Sequence, residues 1–217
     1  MPDPSYLAPN RFVDCDHPAV VEFARAAAGG LPLREGIVAL YEAVRDGWRY
    51  NPWQVGLRPE DYAASGVLLR ERSRGGHCID KANLLAACAR ALGVPSRLHF
   101  ANVRNHIGTA RLEALLGTDL LVYHGYTELW LEGRWVAATP AFNRSLCEHL
   151  GVAPLEFDGV HDSVFQEFDR QGGRFMEYVE DHGSHAGIPF DDMIAAWRLH
   201  YPMIQSGSWP ELERSAE

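Results

Sequence analysis

Apolar positions recur at helical spacing in the first half of the chain and alternate at strand spacing after it. Residues 18–28, Pro-Ala-Val-Val-Glu-Phe-Ala-Arg-Ala-Ala-Ala, predict a first helix. Pro18 suits its first turn, Asp16 or His17 stands where a cap is needed, and Gly29-Gly30 stops it. Ile37, Leu40, Tyr41 and Val44 share one face and predict a second helix over 34–46. The clearest pattern is Cys78, Ala82, Leu85, Ala89 and Leu92, which step by 4, 3, 4 and 3 and fall in one stripe. Gly93 ends that helix, with Pro95 beyond it. Residues 96–103, 121–131 and 134–139 predict strands, the last two joined by a turn at Glu132-Gly133. In strand 121–131, Val122, His124, Tyr126, Glu128 and Trp130 fall on one face. The stretch Trp48–Gly56 is aromatic and broken by Pro52, which predicts a loop. Further on, 161–169 and 190–199 predict helices, with glycine-rich breaks at 172–173 and 183–187. Helices, then strands, then helices predict an α+β fold rather than a doubly wound sheet.

A chain of 217 residues, 47% hydrophobic and 23% charged, suits one domain spanning 1–217 with a sizeable core. The net charge of −9 and the lack of a Lys/Arg run argue against a nucleic-acid partner. No segment approaches the roughly 18 consecutive apolar residues of a membrane span. The first residues, Met1-Pro2-Asp3-Pro4-Ser5-Tyr6, lack the basic start and apolar run of a signal peptide, so no membrane association and a cytoplasmic location are expected. Cys15, Cys78, Cys88 and Cys147 are scattered with no C-x-x-C pair, which reads neither as a disulfide framework nor as a zinc knuckle. A reducing compartment also keeps a thiol usable.

The chemistry concentrates at Gly75-Gly76-His77-Cys78-Ile79-Asp80-Lys81-Ala82. Two glycines let backbone approach a substrate, and Cys78 then opens a helix, at the positive end of its dipole. A helix N-terminus and an imidazole together hold a thiolate, the nucleophilic form. Cys88 lies mid-helix in an alanine-rich run and reads as core. His124 starts a strand after the 104–120 loop, where active-site groups often sit. Glu128 on its face is odd for a core and requires a partner. The other histidines form no HExxH and no tight ligand triplet; His182 and His185, three apart, read as a solvated loop. No cofactor and no metal are expected.

Two separated motifs, in order, carry a resemblance. Gly75–Ala82 with Leu84-Leu85, followed by Arg90-Ala91-Leu92-Gly93-Val94-Pro95-Ser96-Arg97, resembles the core of the transglutaminase-like superfamily. His124-Gly125-Tyr126-Thr127-Glu128-Leu129-Trp130-Leu131, then Gly133-Arg134-Trp135-Val136, resembles that family's histidine strand and return strand. The resemblance covers about 40–143 and leaves 144–217 as a helical C-terminal extension. It implies a papain-like α+β fold, with N-terminal helices and the cysteine helix packed on an antiparallel sheet. It also implies a Cys-His-Asp triad in which Cys78 is the nucleophile and His124 the general base.

One position departs from that pattern. Where the family places its Asp, four residues after the return-strand Trp, this chain has Thr139; Asn143 is the nearest amide. A triad carboxylate orients the imidazole and stabilises its cation, and an amide takes that role in papain-like proteases. Three readings follow: a Cys–His dyad, a triad completed by Thr139 or Asn143, or a dead site. The expected function is cleavage or transfer at an amide bond through a thioester, on a peptide, protein or amide-containing small molecule. With no calcium-loop pattern, hydrolysis is favoured over calcium-dependent crosslinking. The alternative is a non-catalytic binding module that keeps the fold. Trp48, Tyr50, Trp53 and Gln54 lie where the family often draws a second oxyanion donor. Cys78 is expected to be the only thiol of lowered pKa, with a neutral group rather than Asp119 or Asp158 beside His124.

Overall fold

The helix opened by Cys78 keeps no face for water: every residue from Ile79 to Arg90 is buried. The structure is a computed structural model and describes residues 1–105, 113–114, 116–164 and 176–207. In chain order come α1 (Pro18–Ala28), α2 (Leu33–Gly47), α3 (Ala64–Leu69) and α4 (Cys78–Ala91). Strands β1 (Ser96–Asn105), β2 (Leu120–Leu131) and β3 (Arg134–Ala138) follow. Then come α5 (Arg144–Leu150), β4 (Met176–His185), α6 (Phe190–His200) and α7 (Pro202–Ser206). The fold is α+β: α4 lies between α1, α2 and α3 on one side and β1 and β2 on the other.

Local chemistry sets the helix ends. The ring of His17 accepts the Ala19 N–H at 3.2 Å and caps α1, so of the two candidate caps it is His17 that acts. Gly29 closes the helix at φ 59°, a left-handed backbone that suits glycine. On α2, Ile37, Leu40, Tyr41 and Val44 are fully buried, as the spacing predicts. Three polar side chains of α4 donate to backbone carbonyls. Asn83 donates to Phe12 and Tyr62, Arg90 to Ala8, Ser96 and Ala186, and Lys81 to Arg45, Trp48 and Ala141. Buried polar groups must be satisfied this way, and each bond ties a distant loop to the central helix.

The sheet has the order β3-β2-β1-β4 and is antiparallel throughout. Its β2–β3 hairpin turns through Glu132 (φ 50°) and Gly133 (φ 85°), both left-handed, which matches the strand twist. Thr127, Leu129 and Leu131 are buried, and the Thr127 hydroxyl donates to the Ala82 carbonyl of α4 at 2.8 Å. The next residues over, Tyr126 and Glu128, meet His99 and Arg97 of β1. Tyr123 has φ 58° and sits where the β1–β2 register shifts between Ala101 and Val103. A bulge therefore immediately precedes His124.

Three expectations change. The C-terminal extension is not wholly helical, because it supplies β4, which pairs with β1 along most of its length. His182 and His185 thus lie on a strand and not in a solvated loop, and the break expected at 183–187 is only the end of that strand, with Gly183 at φ 75°. Residues 161–164 are not helical: Ser163 bridges to β3 through Ser163 N–H to Ala137 O and Thr139 N–H to Ser163 O. The remainder of the 161–169 helix, and the break at 172–173, lie outside the described residues.

Candidate active site

Gly75 and Gly76 deliver the chain to Cys78 under tight constraint. Gly75 has φ 66°, and a Cβ there would collide with the Arg49 carbonyl. Gly76 donates its N–H to Arg49 O, and its carbonyl accepts the Asn51 N–H, so the 49–51 segment is bound to the segment leading into α4. His77 then caps the helix. Its Nδ1 accepts the N–H groups of Ile79 and Asp80 at 3.1 and 3.3 Å, and the Asp80 carboxylate accepts the His77 N–H. Arg70 clamps Asp80 at 2.6 Å. The sequence reading passed over this role of His77, although a possible cap followed three residues later by an acid is a visible signal.

Cys78 and His124 line the same cavity, beside Tyr50, His77 and Ile79. Burial pushes the Cys78 thiol up to about 11, against the opposing pull of the Gly125 and Ile79 N–H groups. Burial, with nearby His77 adding to it, lowers His124 to about 4. The resting pair is therefore a neutral thiol and a neutral imidazole. Where one lowered thiol was expected, burial instead raises Cys78, and it raises Cys15, Cys88 and Cys147 as well. Neither ring nitrogen of His124 has a hydrogen-bond partner among the described residues.

A second, smaller cavity opens behind His124 and is shared with Thr139, Ala141 and Phe142. The Thr139 hydroxyl is buried and also unpartnered among the described residues. Asn143 lies elsewhere in the network: its Oδ1 accepts the Tyr50 N–H at 2.8 Å and its Nδ2 donates to Ser145 at 2.7 Å. Asp119 pairs with Arg104 and Asp158 with His161.

Of the four upstream candidates, Tyr50 lines the Cys78 cavity. Its phenol is raised well above the usual tyrosine range by burial, with Cys78 adding to the shift, so it stays protonated. Trp53 and Gln54 line an outer groove with Arg70 and Arg74, and Trp48 is buried against Phe23 and Arg72. Lys81 holds the ground beneath the site. Its Nζ donates to Arg45, Trp48 and Ala141 carbonyls at 2.8, 2.9 and 2.7 Å, while burial lowers it to about 7. Three carbonyl acceptors match the three protons of an ammonium.

Glu128 has the partner its position demands. It receives Arg97 at 2.7 and 3.1 Å and the Ser184 hydroxyl at 2.5 Å. Burial raises its carboxyl, but the bonds from His99, Arg97 and Ser184 prevail and hold it near about 2. His182 stacks on Tyr123 with ring centroids 4.1 Å apart and binds Asn102 Oδ1.

The sequence profile of the transglutaminase-like superfamily matches residues 21–140, which include Cys78, His124 and Thr139. No curated protein matches the chain significantly. A solved structure from Cytophaga hutchinsonii, described as a "Putative Cysteine Protease", is similar at 17% identity and a TM-score of 0.46. The similarity covers 83% of this chain and 53% of that one, so this chain spans about half of that protein's length.

Proposed function

This chain belongs to the transglutaminase-like superfamily, and on that premise we propose that it is a cysteine-dependent amide-bond hydrolase or acyl transferase. Cys78 Sγ attacks the carbonyl carbon of an amide, and His124 takes the thiol proton. The same imidazole then protonates the departing amine, leaving an acyl-thioester on Cys78. Water resolves the thioester in a hydrolase and a second amine in a transferase. Water is the favoured acceptor, because the sequence holds no calcium-loop pattern.

The observation that carries this reading is buried His124, which lines the cavity that holds Cys78 and whose two ring nitrogens have no hydrogen-bond partner among the described residues. Leaving a buried imidazole unbonded costs about 1–3 kcal/mol, so a partner supplied by thiol or substrate gives it a purpose. With both groups neutral at rest, the proton moves during attack rather than before it. The oxyanion is held by the Cys78 N–H and the Tyr50 hydroxyl, and Thr139 stands behind His124 as an uncharged neighbour. Asn143 supports the site through Tyr50. Iodoacetamide labelling with peptide mapping tests the pair: Cys78 labels ahead of the other three thiols, and His124→Ala slows it. Equal labelling of all four, or no response to His124→Ala, overturns the reading.

A second reading has its own support. The raised thiol and the missing carboxylate suit a binding module that keeps the fold without turnover. In that case a small amide binds, but no acyl group is ever found on Cys78.

A further inference from the structure

Part of the wall of the Cys78 cavity is built by the C-terminal helices. Trp197 of α6 and Tyr201 and Ile204 at α7 line it together with Leu121 and Val122 of β2. Those three residues lie outside the segment 21–140 matched by the family profile, so this wall belongs to this chain's own extension.

The polar atoms of the wall are turned away from the cavity. Trp197 Nε1 donates to Val122 O at 2.8 Å. Tyr201 Oη accepts the Val122 N–H at 2.6 Å and donates to Leu120 O at 3.2 Å. Both rings are thereby pinned to the β2 backbone and present carbon to the cavity. Among the described residues no carboxylate, lysine or arginine lines it. A charged substrate group entering here would lose its water and meet no counter-charge.

Size narrows the choice. The cavity holds about 70 Å³. That is roughly half the ~150 Å³ of an apolar cavity known to hold benzene, which leaves room for roughly three or four carbons.

Resting on the proposed amide chemistry at Cys78, we propose that this cavity receives a short branched aliphatic group of the substrate, next to the carbonyl that Cys78 attacks. Carboxylate-bearing groups are excluded by the uncharged wall and aromatic rings by its volume. The substrate class is an amide with an isobutyl- or isopropyl-sized acyl portion.

The test is equilibrium binding to the Cys78→Ala protein, followed by calorimetry or NMR, with isovaleramide, acetamide, succinamate and benzamide as probes. Isovaleramide binds saturably and at least roughly tenfold tighter than acetamide, since three further buried carbons favour it. Succinamate and benzamide bind no better than acetamide. Ile204→Trp and, separately, Leu121→Trp fill the cavity and remove the isovaleramide preference in whichever variant keeps its cooperative unfolding. Equal binding of acetamide and isovaleramide overturns the proposal, as does tighter binding of succinamate or benzamide. Iodoacetamide labelling of the wild-type protein is read separately. A silent thiol with saturable isovaleramide binding removes the reaction and keeps the pocket; a reactive thiol without that binding does the reverse.

Discussion

His124 and Thr139 line one small cavity, and neither the imidazole nor the hydroxyl has a hydrogen-bond partner among the described residues. Thr139, which the resemblance puts at the family's carboxylate position, carries no charge. Burial acts on His124 without opposition from an acid, and its pKa lies at about 4.

Restoring the charge should change the thiol. In Thr139→Asp, a carboxylate beside His124 raises the imidazole pKa by roughly 1–3 units and favours the thiolate–imidazolium pair. The alkylation rate of Cys78 near pH 7 should rise clearly above wild type, and its pH profile should shift to lower pH. An unchanged profile in a folded Thr139→Asp protein would count against the arrangement described here.

The neutral imidazole also has a stability signature. Its pKa falls from an unfolded value of 6.5 to about 4 in the folded protein. Between those values the unfolded chain binds a proton that the native state refuses, so stability is full above pH 6.5 and falls as pH drops toward 4. The slope from this one group is roughly 1 kcal/mol per pH unit. Buried His77, also lowered, acts in the same direction, and His99, which is raised, acts oppositely. Urea unfolding across this window should be flatter for His124→Gln than for wild type.

Lys81 should matter through three carbonyls at once. Lys81→Met leaves Arg45 O, Trp48 O and Ala141 O without the donor they share. The expected loss is about 3 kcal/mol or more, read from the urea midpoint. A loss under about 1 kcal/mol would mean that water replaces the ammonium at little cost.

Much of this was legible in the sequence, and the failures have physical causes. Helices α1, α2 and α4 and strands β1 to β3 follow from apolar spacing and from their Gly and Pro stops. Strand β4 did not, because Glu177-Tyr178-Val179-Glu180-Asp181-His182-Gly183 is an edge strand with mostly exposed or half-exposed residues and no apolar alternation. Its residues are specified by partners far away in the chain: Ser184 and Asp181 bind His99, and Ser184 binds Glu128. The order of Cys78 and His124 was readable from their motifs, but the state of the thiol was not. A helix start can be seen in a sequence, whereas the burial that raises the thiol comes from packing. The cavity wall has the same character, since Trp197, Tyr201 and Ile204 meet Cys78 only through long-range packing.

The Glu128 cluster offers a separate check on the sheet. Glu128→Gln removes the charge that faces Arg97 and His99. Against the effect of burial, Glu128 and Asp181 together raise His99 above its usual value, so the substitution should lower the His99 pKa in an NMR titration. It should also cost about 1–3 kcal/mol at neutral pH. The stabilisation from Glu128 is present above its unfolded value of 4.5 and is lost as pH falls toward about 2, so wild type and Glu128→Gln should converge in acid.

The most direct measurement is intact-mass and peptide-map detection of an acyl group after mixing the protein with p-nitrophenyl isovalerate. The account predicts a single acyl adduct on Cys78, formed about 100-fold more slowly in His124→Ala because general-base help is lost. Acylation spread over Cys15, Cys88 and Cys147, or an adduct on Cys78 whose rate ignores His124→Ala, would contradict it.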